Sequence, residues 1–295
     1  KCTILENVNG TAAGMWFEKD GKILISMPGV PYEMKGIMME QAFPRLQEKF
    51  ALKALYHRTL MTQGIGESFL ADQIQEWENE VREKGLGLAY LPSPGMVKLR
   101  LTSYEGESRA EEIDAYFKQL EERFPNYVYG KEDETIQLVL GRLLREKKMT
   151  IGTVESCTGG SLAQTMVSVA GASDYFQGSF LTYTNELKNR LVDVSKHDLD
   201  TVGAVSREVV EQMAKNGREK LGVDVCISTS GVAGPDGGTE ELPVGTIWIG
   251  IATKDKVSAK KFQFGDHRER NIQMTVLTAL NLVRCEILGI LIEKK

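Results

Sequence analysis

The stretch Met149-Thr150-Ile151-Gly152-Thr153-Val154-Glu155-Ser156-Cys157-Thr158-Gly159-Gly160-Ser161-Leu162-Ala163-Gln164-Thr165-Met166-Val167 decides how the chain is read. Its first six residues have the composition of a short buried strand, and from Ser161 the apolar spacing becomes helical. Between them lie a hydroxyl, a thiol, a second hydroxyl and two glycines, placed where a strand turns into a helix. Ser156 therefore falls at the carboxyl end of a strand. Open α/β sheets bind ligands at that edge, because helix amino-termini present free N–H groups there and glycine admits a ligand close to the backbone. Taken alone, the stretch is equally compatible with an ordinary turn carrying a serine or threonine cap.

Outward from this corner, the segment from about Glu134 reads as a long α/β alternation. A helix over 135–147 leads into the strand before Ser156. After the second helix come a strand around 179–183, a helix opening near Asn185 and a helix capped by Ser206 that runs to about Leu221. Strands follow at 223–229, 245–253 and 260–264, and an amphipathic helix over 268–291 closes the chain. Residues 51–132 predict a small β-α-β-α domain with strands at 56–62 and 96–104 and helices at 68–84 and 108–124. Ser68 reads as the cap of the first of these helices. Residues 1–50 predict a hairpin through Asp20-Gly21, then a Pro28-Gly29-Val30-Pro31 loop and a helix from Tyr32. A two-stranded ribbon and one helix bury too little to stand alone. The expected organisation is thus 1–50, 51–132 and 133–295, the last an α/β sandwich with a mixed, largely parallel sheet.

The bulk composition narrows the function. With 295 residues, 42% hydrophobic and 26% charged, the chain has the make-up of a soluble globular protein and no apolar run long enough to cross a bilayer. A net charge of −5 argues against a broad grip on nucleic acid and favours small-molecule binding. The four cysteines, Cys2, Cys157, Cys226 and Cys285, form no Cys-x-x-Cys pair, so neither a zinc site nor a disulfide framework is expected, and a reducing cytoplasm fits. The chain opens on Lys1 in a turn-rich segment, as though it began inside a longer protein.

Three expected strand ends carry unusual residues: Glu155 to Gly160, Thr182-Tyr183-Thr184-Asn185-Glu186-Leu187-Lys188, and Ser230-Gly231-Val232-Ala233-Gly234-Pro235-Asp236-Gly237-Gly238-Thr239. If the strands are parallel neighbours, all three loops meet on one edge. Only three histidines occur, His57 in the middle segment and His197 and His267 in polar turns, which argues against a Ser-His-Asp or Cys-His arrangement. A lysine whose pKa is lowered by burial serves a serine equally well as base. Lys188, one helical turn beyond Asn185, is the candidate; a solvent-facing lysine is the ordinary alternative. Cys157 is the rival nucleophile, its thiol activated at a helix amino-terminus, or else a small buried hydrophobe. The run Gly231 to Gly238 holds four glycines and offers N–H groups for a phosphate or an oxyanion, unless it is a plain surface loop. Arg268 and Arg270 lie where a phosphate could be paired.

Together with Gly203-Ala204-Val205-Ser206 and Pro243-Val244-Gly245-Thr246-Ile247-Trp248, these motifs resemble, in number, order and spacing, the carboxy-terminal domain of the CinA family, the nicotinamide mononucleotide deamidases. The resemblance spans about 134–291. It implies metal-free, cofactor-free hydrolysis of nicotinamide mononucleotide to nicotinic acid mononucleotide and ammonia. By the same resemblance Ser156 is the nucleophile, Lys188 the base and Tyr183 a supporting hydrogen-bonding group. Thr158, Gly159, Gly160, Asn185, Ser230 and Gly231 would line the substrate pocket, and Arg268 matches the family's arginine after Gly265-Asp266, with Arg270 as alternative because His267 intervenes. Pro28-Gly29-Val30-Pro31-Tyr32-Glu33-Met34 is similar to a late motif of the family's molybdopterin-binding-like amino-terminal domain. The earlier part of that domain is not in the sequence, so its ADP-ribose pyrophosphatase activity is not expected. Residues 51–132 correspond to the family's small linking domain. Homodimers and an association with RecA and competence are what the resemblance implies; a cytoplasmic location without membrane or direct nucleic-acid binding is the expectation from cysteine usage, composition and charge. A nucleotide-binding adaptor without turnover, and a Cys157 thiol enzyme, are the competing readings.

Overall fold

The computed structural model describes residues 2–50 and 54–291. They divide into two compact units, one of residues 1–56 with 103–110, the other of 57–102 with 111–295. In the first, β1 (Cys2–Leu5), β2 (Gly14–Lys19) and β3 (Lys22–Ser26) form an antiparallel sheet, and α1 (Pro31–Ile37) and α2 (Phe43–Phe50) follow. The β2–β3 turn uses Asp20 and Gly21, both at positive φ (49° and 72°), the backbone that matches strand twist in a two-residue hairpin. Leu5, Trp16, Ile37 and Ala42 make its small core.

The second unit begins with β4 (Tyr56–Gln63), α3 (Glu67–Gln73), α4 (Gln75–Glu83), β5 (Gly87–Ser93), β6 (Met96–Ser103), α5 (Ala110–Arg123) and β7 (Val128–Lys131), its sheet ordered β5-β6-β4-β7. The expected β-α-β-α order is corrected here in three respects. Two further strands, β5 and β7, sit at the sheet edges. The helix expected over 68–84 breaks at Ile74, whose backbone (φ −109°, ψ 15°) leaves the helical region. Ser68 lies inside α3, and Gly66 takes the cap position with no side-chain hydrogen bond.

The rest of the unit runs α6 (Ile136–Lys147), β8 (Ile151–Glu155), α7 (Ser161–Val167), β9 (Phe176–Leu181), α8 (Asn185–Val192), α9 (Lys196–Thr201), α10 (Arg207–Leu221), β10 (Val225–Gly231), β11 (Thr246–Ala252), β12 (Val257–Gln263) and α11 (Arg268–Leu288). The sheet order is β12-β11-β10-β8-β9. β8 pairs parallel with both β9 and β10, while β11 is antiparallel to β10 and β12, so four of the five strands point the same way. The sheet is mixed and largely parallel, as expected, and helices cover both faces. On one side Ile151, Ile227 and Ile249 pack with Leu140 of α6, Leu162 of α7 and Leu280 of α11; on the other Val154 and Cys226 pack with Val209 and Met213 of α10. Because strand side chains alternate, Ile151, Thr153 and Glu155 share the first face, while Gly152, Val154 and the residue after the strand, Ser156, turn to the second.

This topology opens a crevice. The chain leaves β8 toward α7 on one face and leaves the neighbouring β9 toward α8 on the other. Connections that diverge in this way separate at the carboxyl ends of the strands, where α/β sheets bind ligands.

Candidate active site

Ser156 is the first residue past β8, and its N–H donates to the Thr229 carbonyl of β10 at 3.0 Å. Its side chain is 8% exposed. Lys188 lies in the first turn of α8, whose start is capped by the Thr184 hydroxyl accepting from the Leu187 N–H. Its side chain is buried to 1% exposure and runs back beneath the strand ends. There Nζ donates to Ser156 Oγ at 3.0 Å and to the Thr182 carbonyl at 3.0 Å. Among the described residues no carboxylate pairs with this amine. Burial strips water from the ammonium and lowers the lysine pKa to about 8. A serine hydroxyl within reach of an amine whose pKa lies near 8 is an arrangement that could serve as nucleophile and base, and it needs no histidine. His57, His197 and His267 lie on β4, α9 and the start of α11, and none bonds Ser156; His197 belongs to a short helix, not the polar turn expected.

The expected activation of Cys157 is corrected. Its thiol is buried, and desolvation pushes its pKa up to about 12. The effect of the helix amino-terminus is lost because α7's free N–H groups are already taken. Glu155 lies on the opposite face from Ser156, fully buried, and fills that position. Its Oε2 accepts from Thr158 Oγ1 at 2.7 Å and from the N–H groups of Gly160 and Leu162 at 3.0 Å; its Oε1 accepts from the Ala163 N–H at 2.7 Å and Thr153 Oγ1 at 3.3 Å. The chain therefore closes this helix end with its own side chain. Sequence reasoning quoted Glu155 without giving it a role. The available signal was a carboxylate inside an otherwise buried strand, five residues before a glycine-led helix start.

The expected pocket residues divide by what their side chains do. Thr158 and Ser230 are buried, and their hydroxyls are committed within the protein, Thr158 to Glu155 and Thr229, Ser230 to the Ala204 carbonyl at 2.7 Å. What the first loop leaves open is backbone: the N–H groups of Cys157 and Thr158 have no partner among the described residues. Gly160, at φ 97°, makes the turn into α7. Gly231 closes β10, where an added Cβ would lie 2.6 Å from the Thr246 carbonyl oxygen. Asn185 is exposed as the first residue of α8. Tyr183 is 57% exposed, and its hydroxyl accepts from Arg268 Nη2 at 3.4 Å without bonding Ser156 or Lys188. Arg268 Nη1 donates to the Gly234 carbonyl at 2.8 Å, so this arginine ties the loop after β9 to the loop after β10. Arg270 has no such tie. Buried Asn271 donates to the Ala233 and Gly265 carbonyls at 3.0 and 2.8 Å, and the N–H groups of Ala233 and Gly234 have no partner among the described residues. The loops after β8, β9 and β10 thus meet on one edge. Among the described residues no cluster of metal-ligating side chains occurs, and no helix is long and apolar enough to cross a membrane.

Comparison with known proteins places this geometry in context. The CinA C-terminal domain model matches residues 133–287, and the damage-inducible protein CinA KH domain model matches 57–130. A CinA-like protein of Cytophaga hutchinsonii is 47% identical over 290 residues, covering 97% of this chain and 69% of its own length. A putative competence-damage inducible protein of Caldicellulosiruptor bescii is 38% identical over 287 residues, with 97% and 69% covered. Among solved structures, a CinA superfamily protein of Klebsiella pneumoniae aligns with a TM-score of 0.51 at 26% identity, over 52% of this chain and 96% of its own.

Proposed function

The chain belongs to the CinA family, and on that premise we propose that it hydrolyses the carboxamide of nicotinamide mononucleotide to nicotinic acid mononucleotide and ammonia through Ser156 and Lys188. The observation that carries this reading is the buried amine of Lys188, 3.0 Å from Ser156 Oγ, with its pKa lowered toward neutrality. Neutral Lys188 takes the Ser156 proton as Oγ attacks the amide carbon. The oxyanion that forms is met by the unpaired N–H groups of Cys157 and Thr158. The resulting ammonium of Lys188 returns its proton to the amide nitrogen, the C–N bond breaks, and ammonia leaves an ester on Ser156. Water then attacks that ester with Lys188 again as base, releasing the carboxylate and restoring the serine. The Thr182 carbonyl keeps Nζ directed at Oγ through both steps. The free N–H groups of the Ala233-Gly234 loop, with Arg268 beside them, supply a cradle for the 5′-phosphate. Asn185 and Gly231 border the crevice. A cytoplasmic role in pyridine nucleotide salvage follows from this substrate.

The deciding experiment measures ammonia and nicotinic acid mononucleotide released from nicotinamide mononucleotide, with and without chelator, by the wild-type chain and Lys188→Ala. Chelator-insensitive turnover that disappears in the variant supports the amidase. Tight binding without turnover in the wild type would replace it with a nucleotide-binding adaptor.

A further inference from the structure

The geometry points to Glu155 as the positioning residue that holds the Ser156 nucleophile in line with Lys188. This rests on the reading of Ser156 as nucleophile. Four donors from the loop and helix after the strand, the Thr158 hydroxyl and the N–H groups of Gly160, Leu162 and Ala163, converge on one carboxyl group that belongs to the residue directly before the serine. The loop from 156 to 160 is thereby clamped at both ends by a single side chain. The backbone of Glu155 continues the clamp on the other face. Its carbonyl accepts the Thr182 N–H at 2.8 Å, the Thr182 carbonyl accepts from Lys188 Nζ at 3.0 Å, and Nζ reaches Ser156 Oγ at 3.0 Å. These links close a ring through Glu155, Thr182, Lys188 and Ser156. Loosening the carboxyl side of Glu155 frees the serine's loop while the lysine stays fixed from β9 and α8.

Glutamine is the diagnostic replacement because it keeps the volume and changes only the acceptors. An amide NH2 in place of Oε1 would oppose the Ala163 N–H at 2.7 Å, donor against donor; in place of Oε2 it would oppose two N–H groups and leave a threonine hydroxyl to turn. Neither orientation satisfies the helix end. A nucleophile displaced by about 1 Å loses on the order of 100-fold in rate.

The test uses two readouts on the full chain, well below each variant's melting temperature. One is the rate at which a fluorophosphonate labels Ser156, mapped by mass spectrometry; the other is turnover of nicotinamide mononucleotide. For Glu155→Gln we expect labelling and kcat both to fall about 100-fold, with KM nearly unchanged and the pH dependence of the remaining rate still set by Lys188. Glu155→Asp, which keeps the charge but shortens the reach, should recover part of the loss. Thr158→Val, which removes one tether, serves if the glutamine variant does not fold, and should slow labelling by a smaller factor. A folded Glu155→Gln protein that labels Ser156 at the wild-type rate overturns the proposal and leaves Glu155 a stability element only. Wild-type labelling without turnover would refute the proposed substrate, while the comparison of labelling rates still judges Glu155. Failure of the wild type to label at Ser156 overturns both.

Discussion

At Lys188 the fold holds an amine at 1% exposure, hydrogen-bonded to Ser156 and the Thr182 carbonyl and, among the described residues, to no carboxylate. Its protonated form is disfavoured in the folded chain, so the unfolded chain binds more protons in the window from the ordinary lysine pKa down to about 8. Stability is therefore lost as pH falls through that window, and the penalty is complete below it. Lys188→Met should remove the penalty and raise unfolding free energy at pH 7 by roughly 1 to 3 kcal/mol while abolishing turnover; urea unfolding alongside an ammonia assay checks both. In the wild type, kcat/KM should climb with pH as the amine loses its proton, reach half its plateau near 8 and stay flat above. An activity independent of pH between 6.5 and 9 would exclude the lysine as base. Cys157 gives the complementary case: buried and with its thiol pKa raised to about 12, it should resist iodoacetamide in the native protein. Of the four cysteines only Cys2 is exposed, and peptide mapping should find the label there. That Lys188 and Ser156 meet was legible through the motif order that carries the family resemblance, since the lack of histidine alone left a solvent-facing lysine as the ordinary alternative. Glu155 was not, since a lone acidic residue says nothing of which N–H groups will face it until α7 is placed.

Among the elements, the alternation of β8, β9 and β10 with helices could be read directly, and so could α10, where the Ser206 hydroxyl caps Val209 as expected. The strands that escaped reading are short or irregular edge pieces: β1 and β7 have four residues each, and β5 contains Gly87 and Pro92. Proline and glycine weaken a strand pattern and are tolerated at a sheet edge, so periodicity alone misses such segments. The α3–α4 break at Ile74 was hidden because the apolar spacing continues across it. One element invites a functional expectation it should not fulfil. The segment matched by the KH model carries thirteen acidic and eight basic residues and contains no Gly-x-x-Gly run, the loop with which KH domains clamp a nucleotide backbone. We expect no detectable binding of single-stranded RNA or DNA in fluorescence anisotropy at physiological salt, and a micromolar complex would contradict this. At the turn into α7, Gly160→Ala forces a side chain into φ 97° and should cost about 1 kcal/mol of stability together with activity, measured by melting temperature and turnover.

On the scale of the whole second unit, α11 is the organising piece. Its 21 residues make a rod of roughly 32 Å. Arg268 stands at one end, beside Tyr183 and Gly234. Farther along, Thr278 accepts from Gln63 of β4 at 3.0 Å, Asn281 donates to the Asn126 carbonyl at 2.9 Å, and Arg284 donates to the Pro125 carbonyl at 2.8 Å. The opposite side of the same helix, through Val276, Ala279, Leu280 and Val283, packs into the core over the five-stranded sheet. Arg284 is 4% exposed and also bonds Asn281, so Arg284→Ala should destabilise the unit by about 2 to 4 kcal/mol, read from urea midpoints. One helix thus packs over the five-stranded sheet and is hydrogen-bonded to β4 and to the turn before β7, in a segment that a separate family model describes. The consequence is cooperativity. Residues 57–102 and 111–291 should melt in a single calorimetric transition with matching van't Hoff and calorimetric enthalpies, behaving as one folding unit where the sequence alone suggests two.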